Sequence, residues 1–365
     1  MKHRHGRVVH VESLADFDHR VAAGATSMRG WRLRGLDLTG RSGALARLDP
    51  ADATFLGCEL APGDADRVDA GGALVLPTIP EVPVEVYRST LYTPEELYDA
   101  VSYADSLDAR AYAWSQQPGG GDHGATLARA LHDHAVDEAL EAWLAGRRVV
   151  GVMGGHAVPR GSEEYAAAAR LGQALGGAGL TVATGGGPGA MEAANLGGYL
   201  AGYDAAAVAD ATGRLAGVPS FRPSVQAWAD AAFAIREAYP DGRESLGIPT
   251  WHYGHEPPNV FAGAIAKYFR NSLREATLLE VCSAGIVFLP GAAGTVQEVF
   301  QDACENYYAD ESSIAPMVLV GRRHWTEELP VWPLLERLAR QRPMAGHVHL
   351  AESTDEAAAL IAHGA

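Results

Sequence analysis

Three glycine-rich turns have the composition of phosphate-binding loops. Each follows a short apolar run and precedes a helix-like segment, so its backbone amides and the positive end of the helix could face one anion. Glycine allows this close approach because it has no Cβ atom. None of the three has the spacing of a dinucleotide-binding GxGxxG motif or of a Walker A loop. The turns are Gly154 with Gly155, the run Gly185, Gly186, Gly187, Pro188 and Gly189, and PGAAGT at 290–295.

A carboxylate accompanies the third turn. Glu298 follows Thr295 by three residues, so we expect it on the first turn of the helix, with its carboxylate at the mouth toward which the amides point. There it could stabilise an oxocarbenium-like transition state of a sugar phosphate, or position a water molecule. A glutamate near a helix N-terminus is also favoured by the helix dipole alone. The position leaves both roles open.

The residues after 147 alternate between strand-like and helix-like runs. This alternation predicts an α/β fold, a doubly wound and mostly parallel Rossmann-like sheet with helices on both faces. Such sheets bind ligands beyond the carboxyl ends of their strands, where the glycine turns fall. Ser162 predicts one helix start, and the sequence over 259–282 predicts the longest helix, with Asn259 as its N-cap. The predicted strands are 148–154, 180–186, 285–291, 315–321 and 347–352.

The first 145 residues have a different pattern. We interpret 1–145 as an accessory α+β region and 146–365 as the Rossmann-like nucleotide-binding domain. Residues 31–60 hint at stacked short strands, with too few repeats to predict a solenoid. Helical patterns cover 93–108 and about 124–145. No chemistry stands out here, so the region could serve packing or dimerisation, or cover the site as a lid.

Charge and composition narrow the possible partners. The formal net charge is −16 and no local basic patch stands out, which argues against nucleic acid. No apolar run is long enough for a membrane span or the core of a signal peptide, so we expect a cytoplasmic protein that binds a small molecule and no membrane. Three scattered cysteines, and histidine pairs without HExxH spacing, argue against a disulfide framework and against a metal site.

Lysine is nearly absent from the chain. Only Lys2 and Lys267 occur, and Lys267 falls inside the predicted long helix with no motif around it. A pyridoxal-phosphate enzyme needs a lysine for its Schiff base. The composition therefore disfavours an amino-acid decarboxylase.

One loop combines aromatic, histidine and proline residues directly before the predicted long helix. This loop is IPTWHYGHEPPNVFA at 248–262. Its Trp251, His252, Tyr253 and His255 could stack on a base or form hydrogen bonds to it, or they could pack on the sheet.

Two of these segments together resemble the motifs of a known family. TGGGPGAMEAANLGG and LPGAAGTVQEVF resemble, in this order, the GGGxxGxM and PGGxGTxxE motifs of the Lonely Guy family, whose members are often labelled lysine decarboxylases. The preceding VMGGHAVPRGSEEYAAAARLGQALGGAGLTVATGGG is similar to the family's first βαβ unit. The resemblance covers about residues 147–320, roughly half of the chain.

The resemblance implies a phosphoribohydrolase. Such an enzyme hydrolyses the N-glycosidic bond of a nucleoside 5′-monophosphate to free base and ribose 5-phosphate, without a metal or an organic cofactor. By the family's motifs, Glu298 is the catalytic glutamate, and Gly291, Gly294 and Thr295 form the phosphate loop. The residues that match the second motif, near the ribose and base, are Gly185, Gly186, Gly187, Met191, Glu192 and Asn195.

Two departures separate this chain from the family pattern. Ala292 replaces the second glycine of PGG, and an alanine there is strained by about 1 kcal/mol or more if the position needs a positive φ. The family's arginine before this loop is best matched by Arg274, one residue further from Pro290 than the pattern, and Arg270 lies one helical turn earlier. Either arginine could contact the ligand. Ala292 and the large N-terminal region keep a second function open, a non-catalytic nucleotide-binding sensor on the same fold.

The family resemblance also implies a homodimer. The helices predicted over 259–282 and 295–308 would pair near the site, and the partner could complete it. The base remains open between a cytokinin-like nucleotide, a common purine or pyrimidine monophosphate, and a biosynthetic intermediate.

Overall fold

The computed structural model describes residues 8–117, 123–253 and 256–364. These residues divide into two compact units. The first contains 8–88 and 123–135, and the second contains 89–117 and 136–364. The second unit thus includes residues that the sequence analysis assigned to the N-terminal region, and the boundary at 145–146 stays a prediction.

A four-stranded parallel sheet forms the first unit, in the order β1-β2-β3-β4. A helix follows each of the first three strands. The strands begin at residues 9, 31, 54 and 74, so one strand–helix unit recurs about every 20–23 residues, a period typical of stacked repeats. The elements are Val9–Val11 (β1), Leu14–Ala22 (α1), Trp31–Arg34 (β2), Ser42–Leu45 (α2), Thr54–Leu56 (β3), Asp64–Ala70 (α3) and Leu74–Leu76 (β4).

The strands and helices expected in the N-terminal region alternate here as a regular parallel repeat. The hint of stacked strands at 31–60 is confirmed, and the stack extends over all four strands. Gly30, Gly35 and Gly57 have positive φ next to the strands, a conformation that glycine adopts freely. Leu33 and Phe55 fill the apolar core of the stack.

A seven-stranded parallel sheet forms the second unit. Its strands are Val149–Met153 (β5), Thr181–Thr184 (β6), Leu246–Gly247 (β7), Ala264–Ile265 (β8), Ile286–Phe288 (β9), Met317–Val320 (β10) and Val348–Ala351 (β11). The order is β11-β10-β9-β5-β6-β7-β8, and every neighbouring pair is parallel. All five strands predicted after residue 147 are present. Helices cover both faces, so the predicted doubly wound α/β fold is confirmed.

The remaining helices are Pro94–Leu97 (α4), Leu107–Ser115 (α5), His123–Leu144 (α6), Glu163–Gly177 (α7), Ala190–Tyr199 (α8), Ala205–Leu215 (α9), Val225–Ala238 (α10), Asn271–Glu280 (α11), Ala293–Tyr308 (α12), Trp332–Ala339 (α13) and Thr354–Gly364 (α14).

Ser162 caps α7 as predicted, because its hydroxyl accepts a hydrogen bond from the amide of Tyr165 at 3.1 Å. Within the described ranges, no helix is both long enough and apolar enough to cross a bilayer.

The long helix predicted over 259–282 is wrong. Helix α11 covers only its second half, and the first half contains strand β8. Every residue from 259 to 269 is buried except Gly263, which is half-buried. A segment buried on every side shows no helical or strand periodicity in its sequence. The predicted dimer helix is therefore shorter, and the homodimer itself stays a prediction.

Asn259 is consequently not the N-cap of that helix. Its Oδ1 accepts hydrogen bonds from the amides of Phe261 and Ala262 in an irregular turn. The helix predicted over 93–108 is wrong as well, since it splits into α4, a 3₁₀ turn and α5. Ser106 starts α5 by accepting a bond from the amide of Ala109, as serine favours caps over helix interiors.

Helices α7 and α8 pack unusually closely, backbone against backbone. A Cβ atom at Gly172 would overlap the carbonyl of Ala194, and one at Gly197 would overlap the carbonyl of Ala169. These glycines fix the distance of α8, and hence of the turn before it, from the neighbouring helix.

We expect Gly197→Ala to lower the free energy of unfolding by about 1–3 kcal/mol, because the added methyl group must push the two helices apart. Gly213→Ala in α9 is the matched control. A Cβ atom there meets nothing within 4 Å, so the higher helix propensity of alanine should stabilise by about 0.5–1 kcal/mol. Denaturant unfolding of both variants checks the difference, and equal effects would contradict the packing argument.

Candidate active site

The three glycine turns lie side by side at one edge of the second sheet. They follow β5, β6 and β9, which are the adjacent strands β9-β5-β6, and they lie at the carboxyl ends of these parallel strands. Strands β6 to β8 lie on one side of β5, and the chain then crosses over to place β9 to β11 on the other side. Such a crossover opens a crevice in which α/β proteins bind their ligands. The expected gathering of the turns is therefore present.

The second turn makes room for an arginine. A Cβ atom at Gly185 would overlap the guanidinium of Arg274 and would lie 2.8 Å from the sulfur of Met191. Arg274 is held there because its Nε donates a hydrogen bond to the carbonyl of Ile248 at 2.8 Å. Arg270 precedes α11 in an extended conformation and is exposed. Arg274 is thus the arginine at the glycine turns, and the two arginines do not share a helical face.

Glu298 lies beside this arginine. Its Oε1 is 3.9 Å from Nη1 of Arg274, and the two side chains are 17% and 14% exposed. Because α12 begins at Ala293, Glu298 is in its second turn rather than the first. Burial raises the pKa of Glu298 to about 7; Arg274 opposes this rise and Glu275 adds to it. A carboxylic acid with this pKa changes charge near neutral pH, as acid–base catalysts do.

The third turn tolerates its alanine. Ala292 has φ −109° and ψ −147°, outside the left-handed region, so its Cβ atom causes no strain of that kind. Gly291 is required for a different reason, because a Cβ atom there would overlap the buried Thr295. Gly294 has no neighbour within 4 Å of a Cβ position. Residues 292–294 are exposed at the start of α12, where first-turn amides have no partner inside the helix.

The N-terminus of α8 is more enclosed than that of α12. The amide of Ala190 donates to the carbonyl of Gly155 at 3.1 Å, and a Cβ atom at Gly189 would lie 2.6 Å from the same carbonyl. Gly154 packs against Ala190, while Gly155 faces the carbonyl of Pro290 at 3.6 Å from its Cβ position. Residues of the first turn therefore cover the N-terminus of α8. The N-terminus of α12 is the more accessible of the two anion sites.

Glu192 and Asn195, expected near the ribose and base, bond to the protein. Glu192 is fully buried and accepts bonds from the guanidinium of Arg160, which also donates to the carbonyl of Trp228 at 3.0 Å. Arg160 lies in the loop after β5, so this buried ion pair holds α8 to that loop.

Asn195 connects the second turn to the neighbouring strands. Its Oδ1 accepts from the hydroxyl of Thr184 at 2.6 Å and from Nδ2 of Asn259 at 3.0 Å, and its Nδ2 donates to the carbonyl of Leu246 at 3.1 Å. Asn259 in turn donates to the carbonyl of Gly187 at 3.1 Å. This network of hydrogen bonds fixes the position of the second turn relative to β6 and β7. Met191 packs against the turn, with its Cε 3.0 Å from the Cβ position of Gly187.

Two residues at the site were missed by sequence reasoning. An oxygen of Glu256 lies 3.7 Å from the Cβ position of Gly187 in the second turn. Its other oxygen lies 3.7 Å from Nδ1 of His156. The signal for Glu256 in the sequence is its position as an acidic residue within the aromatic loop at 248–262.

The aromatic residues of that loop are divided. Trp251 is buried, stacks on Phe269 with ring centroids 4.5 Å apart, and donates from Nε1 to Asp108 at 2.8 Å, so it packs on the sheet. His252 and Tyr253 are exposed. His255 lies outside the described residues.

Neither a metal nor a Schiff-base lysine is favoured by the described residues. No group of three histidine, cysteine or acidic side chains is arranged there to hold a metal ion. Lys267 is buried beyond the end of β8, not in a helix, and its Nζ is 2.5 Å from Asp108. Burial lowers the pKa of Lys267, and Asp108 opposes this shift. The ion pair occupies the amine that a pyridoxal phosphate would need.

Comparison with protein-family models gives no match to this chain, and comparison with curated proteins gives none either. Solved structures do match. The molybdenum cofactor binding protein from the phototrophic bacterium Rippkaea orientalis is 16% identical over 59% of this chain and 95% of its own, with a TM-score of 0.36. The Moco carrier protein from Chlamydomonas reinhardtii is 18% identical over 60% of this chain and 97% of its own, with a TM-score of 0.38.

The raised pKa of Glu298 makes stability depend on pH. The folded chain retains a proton on Glu298 between about pH 4.5 and 7 that the unfolded chain has lost, so stability falls as pH rises through this window. We expect Glu298→Gln to remove this loss and to be more stable than the natural chain by about 1–3 kcal/mol at pH 8.

Denaturant unfolding at pH 4.5 and pH 8 measures the effect. The advantage of Glu298→Gln should shrink toward pH 4.5. The control Glu336→Gln, at an exposed position of α13, should differ from the natural chain equally at both pH values. A pH-independent effect of Glu298→Gln would show that its carboxyl group is not desolvated.

Proposed function

We propose that this chain hydrolyses the N-glycosidic bond of a nucleoside 5′-monophosphate to free base and ribose 5-phosphate. The proposal is supported chiefly by the largely buried carboxyl group of Glu298, 3.9 Å from Arg274, next to an accessible helix N-terminus at the carboxyl edge of the sheet. A carboxylate beside a phosphate-binding turn is what cleavage at C1′ of a ribose phosphate requires.

The 5′-phosphate binds at the third turn in this proposal. The exposed backbone of 292–294 and the dipole of α12 supply positive potential for it. The ribose then extends toward Glu298 and the second turn. Glu256, beside Gly187, is assigned to the ribose hydroxyl groups, because carboxylates pair well with such donors.

Glu298 acts on the water molecule and on the charge that develops at C1′. As the C1′–N bond breaks, its electron pair leaves with the base, and C1′ gains oxocarbenium character that the nearby carboxylate stabilises. Water attacks C1′ and transfers a proton to Glu298, and the departing base takes up a proton from the solvent. Glu298 then returns its proton to the solvent, which restores its ionised form. Arg274 favours the ionised form of Glu298 that this step needs.

The sensor alternative loses one of the two observations that motivated it. Ala292 in place of a glycine adopts a conformation open to any residue, while the large N-terminal region still leaves the alternative open. The test below still separates the two functions, because a sensor binds nucleotide without releasing base.

We expect Glu298→Gln to lower kcat for base release by about 10²–10⁴, because glutamine neither accepts a proton nor carries a charge to stabilise C1′. Nucleotide affinity should change little. Chromatographic assay of free base and ribose 5-phosphate, over a panel of nucleoside 5′-monophosphates, measures this. Glu336→Gln serves as the control for loss of one acidic charge.

Full activity of Glu298→Gln would refute the role of this residue. Binding of a monophosphate by the natural chain, with no base released from any member of the panel, would refute hydrolysis and favour the sensor.

The phosphate site has its own test at Gly294. An aspartate fits there, since a Cβ atom meets nothing within 4 Å and φ is not positive, but its charge would repel the 5′-phosphate. We expect Gly294→Asp to raise KM for the monophosphate at least about tenfold above that of the neutral, equally sized Gly294→Asn. Equal KM values for the two variants would mean that the phosphate binds elsewhere.

A further inference from the structure

A second cavity lies at the opposite edge of the sheet from the glycine turns. It has a volume of about 400 Å³. Its lining includes Cys282 and Ser283, which precede β9, and Ala315, which precedes β10, so it opens at the amino ends of these strands. The middle of α12 forms one wall. Its volume is within the range of small-molecule sites.

The cavity is acidic. Glu280, Asp302 and Glu305 line it, and among its described lining residues none is a lysine, an arginine or a histidine. Glu280 and Glu305 are exposed at the rim. Burial raises the pKa of Glu305, and the adjacent Glu280 adds to this rise. The rim therefore favours the approach of a positive charge.

Asp302 is the observation that points to a ligand. It is only 6% exposed, and among the described residues its Oδ2 has no hydrogen-bond partner. Burial raises the pKa of Asp302 to about 8, and Glu305 adds to the rise. A buried, partnerless carboxyl oxygen is costly unless a donor from outside the chain reaches it.

An ammonium group suits this arrangement better than a metal ion. No three ligating side chains converge here or elsewhere in the described ranges, so a divalent cation lacks its coordination shell. An ammonium group instead satisfies separate acceptors through its three donors. The acidic side chains occupy two places in the cavity, with Asp302 buried inside and Glu280 and Glu305 exposed at the rim. A molecule with a positive charge at each end could contact both places.

We propose that this cavity is a binding site for a small aliphatic diamine, with one ammonium group on Asp302 and the other at the rim formed by Glu280 and Glu305. The site is separate from the crevice proposed for the nucleotide. It shares α12 with that crevice, since Asp302 lies one helical turn after Glu298. The inference does not depend on the hydrolase proposal, and a failure of one leaves the other unaffected.

Titration calorimetry of the full chain with 1,4-diaminobutane at about 150 mM salt tests the proposal. Salt at this concentration screens diffuse attraction to the net negative chain. We expect one site per chain, weakened at least tenfold in Asp302→Asn. Glu305→Gln changes an exposed residue and keeps the fold, and it should weaken binding of 1,4-diaminobutane more than of butylamine. Glu311→Gln, an exposed acid outside the lining, should bind both amines as the natural chain does.

Several outcomes would overturn the proposal. These are the absence of saturable one-per-chain binding, equal losses in Asp302→Asn and Glu311→Gln, and displacement of the diamine by an equal concentration of magnesium chloride. Sedimentation of the natural chain and of Asp302→Asn gives one more outcome that would overturn it. If only the variant dissociates into monomers, and neither the natural chain nor the variant binds the diamine, the cavity accepts a side chain of a second copy instead.

Discussion

The guanidinium of Arg274 occupies the space that a side chain at residue 185 would fill, and the site is organised around this contact. Any Cβ atom at Gly185 would displace the arginine from the turn. The bond from Arg274 to the carbonyl of Ile248 and the packing of Met191 hold the arrangement in place. From there the same guanidinium reaches Glu298 on another helix. Because Gly185 has no side chain, Arg274 of α11 can contact both the second glycine turn and Glu298 of α12.

Helix α12 concentrates desolvated acids, which most folds avoid. Glu298 and Asp302 both have raised pKa values because burial disfavours their charged forms. They differ in their neighbours. Arg274 opposes the rise in the pKa of Glu298, whereas Glu305 adds to the rise in the pKa of Asp302. Perturbed acids of this kind occur preferentially at functional sites, and here they lie toward opposite edges of the sheet.

Much of the fold could be predicted because its signals are local. The five apolar runs after residue 147 are strands, and the glycine turns fall at their carboxyl ends. The segment from Asn259 to Phe269 was wrongly predicted to be helical, because burial on every side leaves no periodicity that would distinguish a helix from a strand. The strands of the first unit are only three or four residues long, and β1 and β2 contain polar residues, so their sequences are hard to distinguish from loops.

The site followed the same division. Motif spacing placed Glu298 and Thr295 after the third turn, where both lie in α12, but the choice between Arg270 and Arg274 depended on where α11 begins. Glu192 and Asn195 match a binding motif, yet their side chains bond within the protein. Glu256 comes near Gly187 only through the tertiary path of the loop after β7, which no local pattern encodes.

The most direct test of the central claim is a crystal structure of Glu298→Gln with a bound nucleoside 5′-monophosphate. We expect phosphate oxygens on the backbone amides at the start of α12, and C1′ of the ribose facing the side chain of residue 298, with Arg274 beside it. A phosphate bound at another edge of the sheet, or a ribose with C1′ turned away from residue 298, would refute the proposed function of Glu298.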